Sequence, residues 1–210
     1  MSENSQTPDS SVEFFTLSEL TERIPTVSFR LVRFENLLLV CSDSVYLMEK
    51  LGKAFSSISN DMKHNIEEID RLYENRKISF RQNLLLSTNR LRCINEANEA
   101  VRWLRNELNF IFHFFRFVIE DNANIRPSND LAPFLKNAYA FTLEQQHSWL
   151  GTQLFNVLSR FTPTRRQLLA ALNPDVTVLS EVSTVNELIT YNEKLRTFID
   201  NIPFEAADLL

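Results

Sequence analysis

The stretch Val101–Ile119, VRWLRNELNFIFHFFRFVI, constrains the fold of this chain more than any other. It holds neither Gly nor Pro, the two residues that interrupt helices. Wound at about 3.6 residues per turn, it puts Trp103, Phe110, Phe114, Phe117 and Val118 on one face. Leu104, Leu108, Ile111, Phe115 and Ile119 fall beside them. Arg102, Arg105, Asn106, Asn109, His113 and Arg116 fill most of the remaining stripe. The apolar sector is wider than a surface helix with one neighbour requires. It predicts a central helix touching neighbours on two sides. Two roles satisfy that pattern: the middle of a helical core, or a helix with core on one side and an apolar ligand on the other.

Glycine usage narrows the architecture. Gly52 and Gly151 are the only two glycines in 210 residues. Tight hairpins and phosphate-cradling loops depend on Gly, so an all-β fold, a Rossmann fold and the nucleotide-binding motifs are excluded. The net charge of −5 supplies no basic stripe for nucleic acid. Cys41 and Cys93 read as isolated reduced thiols. His64, His113 and His147 are scattered, with no CxxC or HExxH, so neither a metal site nor a cofactor is expected. Nothing resembles a nucleophile elbow. No apolar run reaches membrane-spanning length. These features together predict a soluble, cytoplasmic helical protein that is not an enzyme.

Periodicity gives about eight helices in one domain. Residues 1–14 are polar and read as a disordered lead, with a single domain over 15–210. Phe14–Ile24 reads as a short helix ended by Pro25. Thr26 is a candidate cap for the next helix, and Ser42 or Asp43 for a long one over Ser44–Asn75. Further helices are predicted over Ser79–Ile94, Glu96–Glu120, Leu131–Gln146, Leu150–Phe161, Thr164–Leu172 and Val182–Asn201. In the long helix Asp61, Asn65 and Glu68 share one face and border its apolar stripe.

Three segments carry a resemblance. LGKAFSSISNDMKHNIEEI, from Leu51 to Ile69, resembles the signature helix of the glycolipid transfer protein family, an apolar lead ending in an aspartate. WLRNELNFIFHFF, from Trp103 to Phe115, is similar to that family's central helix, and His147-Ser148-Trp149 to its His-x-Trp. The order of the motifs and the spacing from Trp103 to His147 also match. The resemblance covers roughly residues 28 to 200. It implies a two-layer all-α sandwich of about eight helices that encloses one sphingolipid, chains inside and head group at the surface. It implies intermembrane transfer by a monomer that touches membranes peripherally and reversibly.

The resemblance also assigns residues. Asp61 matches the aspartate that accepts from the ceramide amide N–H and the head group, and His147 the histidine that donates to the amide oxygen. Trp103 matches the tryptophan that stacks under the first sugar, and Asn65 the asparagine that bonds the sugar. An apolar tunnel is expected from Phe55, Ile58, Phe110, Phe114, Val118, Leu150 and Leu154. Membrane contact is expected at Trp149, with Ile125 beside it. The branch that binds ceramide phosphate carries cations at the positions of Asn65, Trp103 and Glu107, and none is matched here. Glu68 and Glu107 depart from the glycolipid branch as well and add acid. Thr162-Pro163-Thr164-Arg165 is more similar to the phosphate branch. Arg102 and Arg105 remain candidate cations for a phosphate. The pocket residues favour a neutral glycosphingolipid. The alternatives are a ceramide phosphate carrier and a sphingolipid sensor or scaffold with little transfer.

Overall fold

The computed structural model describes residues 15–27, 32–82, 87–173 and 178–203, and their side chains except those of 75–94 and 178–180. The polar lead and Cys93 lie outside what is described, as do the inward-facing side chains expected of Ser79–Ile94. Eight α-helices are present among the described residues: α1 Leu17–Arg23, α2 Phe34–Leu51, α3 Ser56–Gln82, α4 Ser87–Asn122, α5 Ala132–Thr142, α6 Trp149–Leu158, α7 Arg165–Leu172 and α8 Val178–Asp200.

The predicted central helix is the middle of α4, which packs on α2, α3, α5 and α8. Its wide apolar sector is used in full: Val101, Leu104, Leu108, Phe110, Ile111, Phe114, Phe115 and Val118 are all buried. From α8, Leu188, Tyr191, Leu195 and Phe198 meet it from the other side, as their spacing predicts. One continuous apolar core runs through the helices.

Several boundaries differ from the sequence reading. The expected break at Ser42–Asp43 does not occur, and α2 runs through it. Ser44 is buried within the helix, while Asp43 receives a bidentate ion pair from Arg23 at 2.7 and 2.9 Å. A tertiary partner for Asp43 thus replaces the capping role its residue type suggested. The helix expected after Thr26 is α2, which begins at Phe34 with Arg33, not Thr26, at its N-cap position. The chain instead turns at Gly52, whose φ of 99° suits the residue without a Cβ. The predicted break near Asn95 is also absent, and α4 passes through it.

Capping chemistry fixes the shorter helices. Thr16 and Glu19 form a reciprocal capping box at the start of α1, and Thr164 and Gln167 another at α7. The C-terminus of α4 is closed by a residue from far along the chain. Arg165 is buried and donates to the Val118 carbonyl at 3.3 Å, the Ser128 carbonyl at 2.8 Å and the Asp121 carboxylate at 2.5 Å. It ties the last turns of α4 to the loop that follows the helix.

Candidate lipid head-group site

Asp61 and Asn65 lie one turn apart on α3, as the i, i+4 spacing requires. Trp103 and Glu107 lie one turn apart on the facing side of α4. His147 comes from the turn between α5 and α6. That turn closes by His147 N–H donating to the Leu143 carbonyl at 3.1 Å. Ser148 then caps α6 by accepting the Gly151 N–H at 3.3 Å.

The imidazole of His147 stacks on the Trp103 indole, with ring centroids 5.5 Å apart and planes at 26°. Its Nδ1 lies 2.8 Å from the Tyr139 hydroxyl. With the phenol donating to Nδ1, the ring proton sits on Nε2, where it is available as a donor. Tyr139 is itself fixed by stacking on Phe155 at 3.8 Å. Sequence reasoning missed Tyr139. The only signal was its position eight residues before His147, which becomes proximity only once α5 ends at Thr142.

Electrostatics ties these groups together. Burial lowers the His147 pKa below its usual value, partly offset by the nearby Asp61 carboxylate. Burial raises the Asp61 pKa, opposed by His147 and His64. The site therefore presents a neutral imidazole beside a carboxylate at neutral pH. Glu107 is more deeply placed, only 1% exposed. Its Oε1 accepts from Asn65 Nδ2 at 3.2 Å, while its Oε2 is buried and has no hydrogen-bond partner. Burial first, then the Asp61 charge, hold the Glu107 carboxyl well above the usual carboxylate range, with the Asn65 bond pulling the other way.

Other expected residues lie elsewhere. Glu68 is engaged by Arg71 of its own helix, at 2.6 Å, so its charge is largely offset and does not add acid as expected. Arg102 pairs with Glu99 at 3.7 Å. It and Arg105 line a groove of about 690 Å³ with Asn95, Asn98 and Pro203, on the polar stripe of α4. Arg105 is rotated about 200° from Trp103 around the helix. Both arginines thus line the polar stripe of α4.

Five of the expected tunnel residues, Phe55, Ile58, Phe110, Phe114 and Val118, are buried together. Their rings touch edge to face, Phe55 to Phe114 at 5.3 Å and Phe110 to Phe155 at 6.3 Å. Leu150 and Leu154 depart from the expectation. They are exposed and join Val157 and Phe161 as an open apolar stripe along α6 and the turn after it. The resemblance placed Leu150 and Leu154 in the tunnel, but Phe155 and Leu158 are the residues of α6 that turn to the core. Trp149 is 75% exposed at the start of the same helix, and Ile125 is fully exposed on its loop.

The family model "Glycolipid transfer protein (GLTP)" matches residues 32–174, more than half the chain. The chain belongs to the glycolipid transfer protein family. Pleckstrin homology domain-containing family A member 8 of Rattus norvegicus is 30% identical over 155 residues, which cover 71% of this chain and 27% of that protein. The human protein PLEKHA9 is 30% identical over the same length, covering 36% of its own chain, so the sequence spans only about a quarter to a third of these relatives. Glycolipid transfer protein 2 of Arabidopsis thaliana is 20% identical over 164 residues, 73% of this chain and 71% of that one.

Solved structures agree on the fold. FAPP2, described as selecting simple glycosphingolipids using the GLTP-fold, superposes with a TM-score of 0.65 at 24% identity, covering 86% of this chain and 87% of the other. Apo mouse ceramide-1-phosphate transfer protein gives 0.70 at 18% identity, covering 90% and 93%. The all-helical two-layer sandwich of the family is thus the fold of this chain. The family's members are sphingolipid transfer proteins. No helix among the described residues is long and apolar enough to cross a membrane.

Proposed function

We propose that this protein is a non-enzymatic carrier that extracts one sphingolipid from a membrane, encloses it and releases it to another, and that its preferred cargo is a neutral glycosphingolipid. The observation that carries the reading is the convergence of Asp61, Asn65, Trp103 and His147 from three separate segments at the middle of α4. Asp61 accepts from the ceramide amide N–H, and Nε2 of His147 donates to the amide oxygen. Reading the amide from both ends selects a sphingoid lipid over a glycerolipid ester. A charge-assisted bond to Asp61 contributes about 1.5–3 kcal/mol.

Trp103 has one face against His147 and remains partly exposed, so it offers the rest of its indole to a sugar C–H face. A phosphate near Asp61 would meet two acids, while Arg102 and Arg105 are turned away. The lipid chains enter by parting the Phe55, Phe110, Phe114 and Phe155 rings, and each CH₂ withdrawn from water is worth about 0.8 kcal/mol. The exposed stripe of α6, from Trp149 through Leu150, Leu154, Val157 and Phe161, rests on the bilayer, with the fully exposed Ile125 as a second apolar contact. Tryptophan suits that interface, and Lys53, stacked 4.4 Å from the Phe161 ring centre, supplies a cation at the edge. The carrier acts as a monomer, as one lipid-transfer domain, in the cytoplasm.

Vesicle-to-vesicle transfer of labelled galactosylceramide, without ATP or metal, tests this. The wild type moves the lipid, and Asp61→Val reduces the rate by about tenfold or more with unchanged circular dichroism. Trp149→Ala slows transfer more than it weakens binding. A correctly folded wild type that binds lipid and transfers none would make the protein a sensor instead.

A further inference from the structure

The hydroxyl of Tyr139 is not needed for packing. The ring is buried on α5 and lies flat on Phe155 of α6, with planes at 8°. Phenylalanine would fill that position as well, whereas a hydroxyl inside a core must find a partner. Two are in reach: His147 Nδ1 at 2.8 Å and Thr152 Oγ1 at 3.4 Å. Thr152 directs its own proton to the Ser148 carbonyl, at 3.3 Å, so it offers the phenol no donor. As an acceptor it lies beyond the ordinary O–H···O range. The single phenol proton therefore has a good acceptor only in Nδ1. Burial holds the phenol above its ordinary pKa, opposed by the Thr152 bond and helped by the Glu144 and Asp61 charges, so the donor keeps its proton at neutral pH.

His147 needs such a partner. A neutral imidazole has two orientations, related by a half-turn about χ2, and two tautomers. Stacking on Trp103 fixes the plane of the ring and is blind to both choices. The Tyr139 hydroxyl is not blind to them. A ring turned over would set a carbon against it. A ring protonated at Nδ1 would leave the phenol proton with only the distant Thr152. We propose that Tyr139 is a positioning residue for lipid recognition: its hydroxyl, held in place by the α6 residues Thr152 and Phe155, keeps His147 in the orientation and tautomer that carry the ring proton on Nε2. The inference rests on the carrier reading above, in which that proton is donated to the ceramide amide oxygen. The bond made at one ring nitrogen sets what the other can do. Tyr139 thus acts on the lipid through His147 and does not itself touch it.

Tyr139→Phe keeps the ring and its stack on Phe155 and removes only the hydroxyl. Two readouts on the full chain separate positioning from packing. The first is nitrogen NMR of protein carrying isotope-labelled histidine. The wild-type His147 ring should be protonated at Nε2 and not at Nδ1, and in Tyr139→Phe the two nitrogen shifts should move toward each other as the second form becomes populated. The second is equilibrium uptake of labelled galactosylceramide from vesicles. Affinity should fall by about threefold to tenfold in Tyr139→Phe. The same substitution should cause no further fall in a His147→Ala background, because the hydroxyl acts through the imidazole. A wild-type ring protonated at Nδ1 would overturn the proposal. An equal fall in both backgrounds, or loss of the fold in Tyr139→Phe, would make the hydroxyl a part of the core and overturn it too. A wild type that takes up no sphingolipid overturns the carrier reading and this inference together. A wild type that takes up galactosylceramide, with Tyr139→Phe doing so equally well, overturns the inference alone.

Discussion

Two buried ionisable side chains lie against α4, and the protein treats them in opposite ways. At the C-terminal end Arg165 reaches in from α7, and its guanidinium is bonded on several sides: Asp121, the Ser128 carbonyl and the Val118 carbonyl. Toward the middle of the helix Glu107 uses one oxygen on Asn65 and leaves the other unmatched. A buried charge with its bonding capacity met is a structural part, because removing it strands its partners. A buried acid with capacity to spare costs stability, and is retained where something other than folding requires it. The comparison separates a buried ion with its bonds met from a buried acid with one oxygen to spare.

The largest effect should come from breaking the clamp. Arg165→Ala removes the cation paired with the Asp121 carboxylate and one donor each from the Val118 and Ser128 carbonyls, a loss of about 3–5 kcal/mol. For a chain of this size that lowers the melting temperature by about 6 °C or more, measured by thermal circular dichroism. The choice between lipids, scored on the folded fraction, should not change. A shift in lipid preference with little loss of stability would break the contrast.

The pH dependence of stability sharpens it further. Burial and the Asp61 charge raise the folded-state pKa of Glu107 above the ordinary 4.5. Asp61 and Asn65 face it from α3, and the buried Cys41 thiol feels its charge from α2. A raised folded pKa means that the native carboxyl holds its proton where the unfolded one has lost it. Its contribution is complete below about 4.5 and is lost as pH rises through the folded value. Glu107→Gln should therefore gain stability relative to wild type on going from about pH 5 to pH 8. Asp121 behaves oppositely. Burial raises its pKa, but the Ser128 N–H, Asn124 and Arg165 together lower it, so its contribution is present above 3.8 and lost below. His147 adds a third slope. Its pKa is lowered by burial, so stability weakens as pH falls below 6.5 and the Nδ1 acceptor for Tyr139 is protonated. Parallel pH profiles for wild type and Glu107→Gln would contradict the assignment of Glu107.

The smallest effect on stability should come from Glu107→Met at neutral pH. The apolar replacement keeps the volume and ends the desolvation cost, while Asn65, which is half-buried, can turn to water. A change within about 1 kcal/mol of wild type, in either direction, is expected from chemical denaturation. A loss approaching that of Arg165→Ala would place Glu107 among the structural residues.

The helical frame was legible because it rests on local rules. Absent glycines, the unbroken apolar sector of Val101–Ile119 and the spacing of Leu188, Tyr191, Leu195 and Phe198 all register in a linear pattern. The boundaries failed where tertiary contacts overrode propensity. Asp43 looked like a cap and became an ion-pair partner of Arg23. On α6 the resemblance placed Leu150 and Leu154 in the interior, whereas Phe155 occupies it, because a helix apolar on most sides does not declare its inward face. Asp61, Asn65, Trp103 and His147 were singled out through the family motifs, and the structure brings them together. The support beneath them was not, because Tyr139 and the Asn65–Glu107 bond join residues from different helices. Arg165 was noticed only as part of a threonine-proline motif, and its reach to Asp121 spans 44 residues.

The most direct test of the central claim is native mass spectrometry of the wild-type protein incubated with vesicles carrying equal amounts of galactosylceramide, ceramide phosphate and a glycerolipid. The account predicts a complex with one bound lipid, galactosylceramide dominant and the glycerolipid absent. A protein that emerges empty, or with ceramide phosphate as its main cargo, would contradict it.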